Sequence, residues 1–521
     1  MIDRPRNEIA IAKIHHPTEI GDQIRSRRIV AEPDPNPTDP SRAAYTRVTS
    51  VMQRTALLFS LAAASGLVLL HQPPSLLRAP RSRLLVADSS YEVDPAAFCA
   101  AARGGAGATA ALATNAFGGC TLVGDEAGLA LARDSSPVAV REPGALVAPF
   151  ALCTDGEASF SAMQQTFSAE SYAEIFGWIP RYKEAGFSTF RFEDFLDGRV
   201  RKLVGSVRLL LLRAASPRLF GAPLGEAAAA LSFGSGDELA QAYAAHATWL
   251  RAASRGGLLG MVPPSLSLPS LAALATGGTP GSALEPMLDA WVKRGGPAHA
   301  SSCVGGADGF EALLGLTSSV EQTTALVCNM IAAAEREPRL SARLAAEQEA
   351  ALKGSEPDAP ISLALLEAMP ELGAFSLETL RLHPPGRPRR SVLGTPATLD
   401  GATLAAGSQL APEPFLAHFD PAVYTRPLEF DPGRYARGEP APCCAFGGEV
   451  GERGGGARLA VLLAQATFVQ LRRMFSELTL GASPPPKPAG FPVHTLPEGC
   501  EVRAVPRMFY EIQRGVKKLR F

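Results

Sequence analysis

The sequence predicts a mainly helical protein with small β-sheets, preceded by an apolar N-terminal leader. Two long segments indicate helices: the apolar stretch Gly309 to Glu337, which Pro338 ends, and a segment that begins at about Ala457. Between them, short runs separated by turn-forming residues at 399–401 and 406–408 predict strands. The chain has 521 residues, 46% of them hydrophobic, which is enough for a large core.

Composition excludes several classes of partner. The net charge of −1 does not suit a nucleic-acid surface, so no nucleic acid is expected as a partner. The eight cysteines include the adjacent pair Cys443 and Cys444, but no Cys-x-x-Cys and no zinc-like spacing, and the eight histidines form no metal-site pattern. A disulfide framework is not expected in so long a chain. The sequence therefore predicts no metal site.

The N-terminal residues divide into two parts that we expect to lie outside the folded domain. Residues 1–51 are polar and have no apolar period, which predicts disorder. Residues 52–90 contain the uncharged run Thr55 to Leu70, followed by a basic, proline-rich segment. This run is short for a membrane span and fits a signal peptide or signal anchor. Two interpretations of this leader are open: a membrane anchor at the endoplasmic reticulum, or a two-part signal for import into a plastid.

A charged pair lies in the helical pattern that precedes Pro384 and Pro385. Glu378 and Arg381 are three residues apart, so both side chains lie on one face of the helix. Such a pair is often solvated and then contributes little stability. The prolines end the helix.

The order of motifs after this pair resembles the cytochrome P450 superfamily, the haem-thiolate monooxygenases. The family's Glu-x-x-Arg matches Glu378 and Arg381, and its meander arginine matches Arg434 in Phe430-Asp-Pro-Gly-Arg434-Tyr435. A glycine-rich loop after Phe446 then leads into the last long helix. The resemblance implies a P450 fold as a single large domain over residues 91–521. It also implies that the two arginines and Glu378 form a buried ion-pair network.

The resemblance also locates the family's haem contacts, and two of them are missing. Counting back from Leu459-Ala460 puts Gly454 where the family has its iron-binding cysteine, so no metal ligand is assigned. Residues 157–165, where the family carries a base for a haem propionate, contain no basic residue. The remaining cofactor positions that the resemblance implies are Arg390, Phe446, Arg453, Gly454 and Gly456. Haem is therefore implied by the family, while its binding here is in question.

The central helix carries the catalytic positions that the family implies. Its acid-and-alcohol motif, which carries protons, falls on Ser318 to Thr323: Glu321 keeps the acid, Gln322 replaces the usual alcohol, and Thr323 is the alcohol that follows it. The alternative is that Glu321 is a solvated residue at an exposed turn. Upstream, residues 192–213 form a basic, amphipathic pattern that predicts another helix.

Three hypotheses for function follow from these observations. The first is a monooxygenase that acts on an apolar substrate of isoprenoid, sterol or lipid type, with a reductase or ferredoxin as electron donor and the leader as a membrane contact. The second is a non-catalytic binding or scaffold protein on the same fold. The third is a fault in the gene sequence between Cys443 and Gly456. Cys443 or Cys444 would replace the missing ligand only if the loop refolded.

Overall fold

Helices account for most of the described residues, and short strands form three small sheets. The computed structural model describes residues 95–104, 111–114, 120–137, 146–163, 199–255, 284–295, 308–353, 359–386, 390–399, 402–446, 454–482, 484–488 and 493–506. The helices are α1 (Pro95–Gly104), α2 (Glu126–Asp134), α3 (Gly156–Met163), α4 (Leu203–Leu219), α5 (Leu224–Ala230), α6 (Gly236–Arg255), α7 (Leu284–Lys293), α8 (Gly309–Arg336), α9 (Pro338–Ala351), α10 (Leu363–Glu367), α11 (Pro370–Leu382), α12 (Pro414–His418) and α13 (Gly455–Met474). The strands are β1 (Ala111–Thr114), β2 (Cys120–Val123), β3 (Ser136–Pro137), β4 (Arg199–Lys202), β5 (Ser391–Val392), β6 (Ala397–Leu399), β7 (Ala402–Leu404), β8 (Gln409–Pro412), β9 (Phe475–Leu480) and β10 (Glu501–Pro506).

The sheets join distant parts of the chain. The largest has the strand order β1-β2-β8-β5-β3, with β1 and β2 as an antiparallel hairpin and β2 parallel to β8. A three-stranded sheet has the order β4-β10-β9, and β6 pairs with β7 alone. The predicted combination of many helices with small sheets is confirmed.

The central helix α8 organises the main core. Its 28 residues extend over about 42 Å at 1.5 Å per residue. The Asp308 side chain caps its start by accepting a hydrogen bond from the Glu311 amide at 3.0 Å. Almost every residue from Gly309 to Ala334 is buried, so α8 has apolar neighbours on all sides. Pro338 begins the next helix, as the sequence predicted.

The prediction of an amphipathic helix at 192–213 is wrong in two respects: where the helix begins, and how its apolar residues are distributed. Residues 199–202 form strand β4, and the helix begins only at Leu203. Residues 192–198 lie outside the described part of the chain. Apolar residues on several faces of α4 are buried, including Leu210, Leu211 and Leu212, and the charged Arg208 is buried among them. Because α4 packs against α8 inside the core, it is not an amphipathic surface helix.

The leader and several loops of the sequence prediction lie outside the described residues. These include residues 1–94, the loop 447–453 with Arg453, and residues 164–165 of the stretch without a base. Within the described part of the chain, no helix combines the length and apolarity that a membrane crossing needs.

Candidate functional site

The middle of α8 is hydrogen bonded to the backbone of a segment that precedes α3. The Val147 amide donates to Ser318 Oγ at 3.0 Å, and the Phe150 amide donates to Ser319 Oγ at 2.8 Å. Gln322 Nε2 donates to the Val147 carbonyl at 2.7 Å. These three polar side chains of α8 are buried, so their hydrogen bonds hold residues 147–150 against the helix.

The same segment packs on its other side against the start of α13. A Cβ atom built on Gly455 would lie 2.6 Å from the Cys153 carbonyl oxygen, and one built on Gly456 would lie 2.8 Å from the Phe150 carbonyl carbon. Only glycine permits backbones to approach so closely. Phe150 itself is buried and has a left-handed φ of 49°, which is strained for a bulky residue. We call residues 147–154 the bridging segment.

The position that the family gives to its cysteine is the first turn of α13. Gly454 lies there as the N-cap residue, with φ −70° and ψ 141°, and Gly455 and Gly456 follow it in the helix. None of the three has a side chain that could bind iron. Phe446 is buried, whereas Arg453 lies outside the described residues. Cys153 in the bridging segment contacts Ser159 Oγ at 3.2 Å and the Asp155 carbonyl at 3.4 Å.

Glu378, Arg381 and Arg434 lie together with no exposure to solvent. Arg381 Nη2 and Nε donate to the two carboxylate oxygens of Glu378 at 2.8 and 2.9 Å, and Arg434 Nε donates to both oxygens at 3.1 Å. The solvated alternative for the Glu378–Arg381 pair is therefore wrong, since both side chains are 0% exposed. Tyr435 also donates its hydroxyl to Glu378 at 3.0 Å.

Partners that the sequence did not identify complete this network. Arg434 Nη1 pairs with Glu439, and Arg381 Nη1 donates to the His418 carbonyl at 2.9 Å. Burial first, and then the neighbouring Glu378 charge, raises the pKa of the Tyr435 hydroxyl, which therefore stays protonated as a donor. The positive charges and donors converge on one carboxylate, which satisfies the acceptor positions of Glu378.

Glu321 lies in a separate buried polar cluster. Its Oε1 accepts from Arg208 Nε at 2.7 Å and from the Tyr243 hydroxyl at 3.2 Å, and its Oε2 accepts from Arg208 Nη2 at 3.0 Å. Arg208 also pairs with Glu498. Glu321 is 1% exposed, so the alternative of an exposed turn is wrong. Thr323 donates its hydroxyl to the Ser319 carbonyl at 2.7 Å.

The electrostatics of this cluster favour the charged form of its arginine. Burial alone would lower the pKa of Arg208, but the charges and hydrogen bonds of Glu321 and Glu498 raise it overall. His246 lies nearby, with Nε2 3.1 Å from Thr317 Oγ1, and burial lowers its pKa to about 4. The sequence holds one signal for Arg208: it is a cation with apolar neighbours inside the run that forms α4, which favours a buried partner.

Arg390 lies at the largest sheet. Its Nη1 is 3.1 Å from Gln409 Oε1, which belongs to β8. Burial raises the pKa of the Cys120 thiol in β2 to about 12, although the nearby charge of Arg390 acts to lower it. The predicted role of Arg390 in binding a propionate stays a prediction.

Three potential metal ligands meet beside the Glu378 network, although no spacing in the sequence indicated a metal site. His418, Cys443 and Cys444 have one donor atom each within 4.8 Å of one another. A hydrogen bond from Cys444, and then His418, lowers the pKa of the Cys443 thiol to about 4 in spite of its partial burial. His418 lies 25 residues before Cys443, so only the fold brings them together.

Comparison with known proteins identifies the family. Residues 312–475, from α8 to the first residue of β9, match the family model described as cytochrome P450. A stretch of 95 residues is 36% identical to the C-22 sterol desaturase ERG5A of Gibberella zeae and 33% identical to ERG5B of the same organism. Each alignment spans 18% of this chain and 18% of the relative. Residues 312–475 of this chain therefore belong to the cytochrome P450 family.

The family implies haem, and the residues of this structure can be tested against it. By the resemblance, the group lies between the proton-carrying turn of the central helix and the loop that begins the last long helix. In this structure the bridging segment connects those two places, bonded to Ser318 and Ser319 on α8 and packed on Gly455 and Gly456 of α13. Gly454, Gly455 and Gly456 at the start of α13 carry no donor atom, so these residues do not fit a haem held by a thiolate from that turn.

Proposed function

We propose that this chain is a non-catalytic member of the cytochrome P450 superfamily, which keeps the fold in order to bind an apolar ligand or to act as a scaffold. One observation carries the proposal: the bridging segment is hydrogen bonded to the side chains of Ser318 and Ser319 on α8 and packs by direct backbone contact on the first turn of α13. Gly455 and Gly456 are needed for that contact because a side chain at either position would overlap the backbone of the segment.

The environment of Glu321 adds support. A proton-carrying acid must exchange its proton within the reaction, and its pKa must suit that exchange. Glu321 instead accepts two hydrogen bonds from Arg208 in a buried, two-point ion pair, which stabilises the ionised carboxylate. Its side chain therefore acts as a structural anion between α4 and α8.

A second candidate is a monooxygenase of the sterol type. The names of the two relatives favour it. Both are C-22 sterol desaturases, and the similarity to them extends over 95 residues. This candidate requires a thiolate ligand from outside the first turn of α13, such as Cys443 or Cys444 after a rearrangement of the loop that follows Phe446. It also requires an electron donor, either a reductase or a ferredoxin.

The carbon monoxide spectrum of the reduced, full-length protein with added haem separates the two candidates. We expect no strongly red-shifted Soret band of the thiolate type, because Gly454 stands at the position of the family's ligand and has no thiolate. Appearance of that band in the unaltered protein would overturn the non-catalytic proposal. Binding of an apolar ligand is measured separately, by equilibrium dialysis against a labelled sterol, and its failure would leave only the scaffold role.

Replacement of Gly454 tests whether the ligand alone is missing. Its φ of −70° and ψ of 141° are open to any residue, so Gly454→Cys introduces a thiol without backbone strain. We expect no thiolate band in Gly454→Cys, because the bridging segment packs directly against the neighbouring Gly455 and Gly456. Gly454→Ser is the matched control without sulfur. A band that appears in the cysteine variant alone would show that the rest of the site is intact.

The leader belongs to the proposal as well. We infer that residues 52–90 direct the protein to a membrane, at the endoplasmic reticulum or at a plastid, and that residues 91–521 fold by themselves. The apolar run Thr55 to Leu70 and the basic, proline-rich sequence after it support this. Deleting residues 1–90 should leave a soluble, cooperatively melting protein. A truncated chain that does not fold while the full chain does would contradict the domain boundary.

A further inference from the structure

His418, Cys443 and Cys444 offer one imidazole and two thiols at the edge of the Glu378 network. Their donor atoms lie within 4.8 Å of one another. His418 ends helix α12, whereas the two cysteines precede the buried Phe446 in a loop. Donors from two distant segments therefore converge on a volume that one metal ion would fill. Within the described part of the chain, this is the one group of three histidine, cysteine or acidic residues whose donor atoms lie so close together.

The distance between the two sulfur atoms suits a shared metal ion. Cys443 Sγ and Cys444 Sγ are 3.9 Å apart. Two thiolates bound to one tetrahedral zinc ion, at about 2.3 Å each, are separated by about 3.8 Å. A disulfide requires about 2.05 Å, so these sulfur atoms are not bonded to each other.

The backbone explains how neighbouring side chains come to point the same way. In an extended chain, successive side chains point to opposite sides. Cys444 instead has a left-handed φ of 51°, which is unfavourable for a residue with a side chain. The backbone is fixed directly after Cys444, because the Ala445 carbonyl oxygen accepts a hydrogen bond from the Gly386 amide at 2.9 Å. Strain of this kind is commonly retained at functional sites.

His418 is held through Nδ1 in the way that metal-binding histidines usually are. Its Nδ1 lies 2.8 Å from the Arg381 carbonyl oxygen, and its Nε2 lies on the side of Cys443. Histidines that bind metals typically donate one ring N–H to a backbone carbonyl and coordinate through the other nitrogen. Nε2 is 2.5 Å from the Cys443 carbonyl oxygen, a hydrogen bond that a metal ion on Nε2 would replace.

We propose that His418, Cys443 and Cys444 form a binding site for a thiophilic divalent cation, namely Zn²⁺. Two thiolates and a neutral imidazole are ligands that zinc prefers, and together they neutralise its charge. Cys444 is buried and Cys443 is exposed, so the ion has a route from solvent and an outer coordination position for water. This function goes beyond the proposed binding role of the P450 fold and does not depend on it.

The site would link the loop before α13 to the Glu378 network. His418 is bonded to Arg381 through both its ring and its carbonyl oxygen, and Arg381 is paired with Glu378. A metal that joins His418 to Cys443 and Cys444 therefore ties this loop to the buried ion pairs. Because a ligand that binds only the folded state stabilises it, Zn²⁺ should raise the melting temperature.

The test uses the reduced, full-length protein after removal of metal with a chelator. Zn²⁺ alone is titrated and its stoichiometry measured, and Co²⁺ is used as a spectroscopic probe of the ligands. We expect one ion per chain, a thiolate-to-cobalt charge-transfer band and a higher melting temperature with Zn²⁺. Cys443→Ser and Cys444→Ser should each weaken binding by more than tenfold, and the double variant should abolish the band.

A matched control and a second measurement keep the result interpretable. Cys500→Ser alters a buried cysteine near β10 and should leave the affinity for Zn²⁺ unchanged. His418 is fully buried, and its replacement risks unfolding, so its role is tested by X-ray absorption of the zinc-bound, unaltered protein. A shell of two sulfur atoms and one imidazole nitrogen supports the site. Less than stoichiometric binding, or equal binding by the double cysteine variant, would overturn it.

Discussion

Arg208 and Glu321 form a buried, two-point ion pair between helices α4 and α8. Arg208 Nε and Nη2 donate to Glu321 Oε1 and Oε2 at 2.7 and 3.0 Å, and the side chains are only 4% and 1% exposed. The two residues are 113 positions apart in the sequence. The pair therefore joins two core helices, and stability measurements can test the structural role that we propose for the predicted catalytic acid.

Removal of one partner of this pair should be costly. Arg208→Met leaves the Glu321 carboxylate buried without its main partner, so we expect a loss of about 3–5 kcal/mol in the free energy of unfolding. The double variant Arg208→Met, Glu321→Met should recover most of that loss, since no lone charge stays buried. Urea unfolding of the three proteins measures both values.

A surface pair on the same helix provides the control for this experiment. Arg213 is paired with Asp237 at 2.8 Å, but the aspartate side chain is 72% exposed. Arg213→Met should cost no more than about 1 kcal/mol. Equal losses for Arg208→Met and Arg213→Met would contradict a structural role for the buried pair.

The Glu378 network makes a second prediction. Glu378→Gln removes the charge that Arg381 and Arg434 share, while it keeps the side-chain volume. We expect a loss of about 3–5 kcal/mol and a sharp fall in soluble yield, because two guanidinium groups lose their common anion. Glu429→Gln is the matched control, since its pair with Arg426 is 58–59% exposed. An unchanged melting temperature for Glu378→Gln would count against the network.

Replacing glycine by alanine should have opposite effects on stability at Gly456, which contacts the bridging segment, and at Gly373, which does not. Gly456→Ala would place a Cβ atom 2.8 Å from the Phe150 carbonyl carbon, so we expect strong destabilisation or insoluble protein. Gly373→Ala lies inside α11, where a Cβ atom would meet nothing within 4 Å. That change should stabilise by about 0.5–1 kcal/mol, because alanine favours helices. Thermal melting compares the two, and a harmless Gly456→Ala would refute the close contact.

His246 predicts a dependence of stability on pH. Its folded-state pKa is lowered to about 4, chiefly by burial and also by Arg208, while Glu321 acts in the opposite direction. Above about pH 6.5 the imidazole is neutral in both states, so it has no effect. Between about pH 6.5 and pH 4 only the unfolded state gains the proton, and stability should fall by roughly 3 kcal/mol as the pH is lowered.

The variant His246→Gln isolates this effect. Glutamine does not titrate, and its amide reaches towards Thr317, the partner of His246 Nε2. The difference in unfolding free energy between the variant and the unaltered protein should therefore grow as the pH falls from about 6.5 to 4. Other titrating groups contribute equally to both proteins and cancel. A difference that does not vary with pH would show that His246 does not titrate as described.

Relations between residues close together in the sequence were predicted most reliably. The bounds of α8 follow from an unbroken apolar stretch ended by Pro338, and α13 begins two residues before its predicted start. Glu378 and Arg381 share a face because they are three residues apart in one helix. The absence of a cysteine at Gly454 is likewise a property of the sequence alone. Such features depend on chain geometry and on neighbours along the chain.

Only the tertiary structure decided which distant groups meet. The sequence placed Glu321 on a helix, but its partner Arg208 lies on another helix, and burial of the pair depends on how the two pack. His418 and the adjacent cysteines meet because the Cys443 carbonyl oxygen contacts the ring of His418, the last residue of α12. The bridging segment meets Ser319 of α8 from 169 positions away, and it meets Gly455 and Gly456 of α13 from about 300 positions away. A one-dimensional pattern does not encode such contacts, because side-chain packing between whole elements determines them.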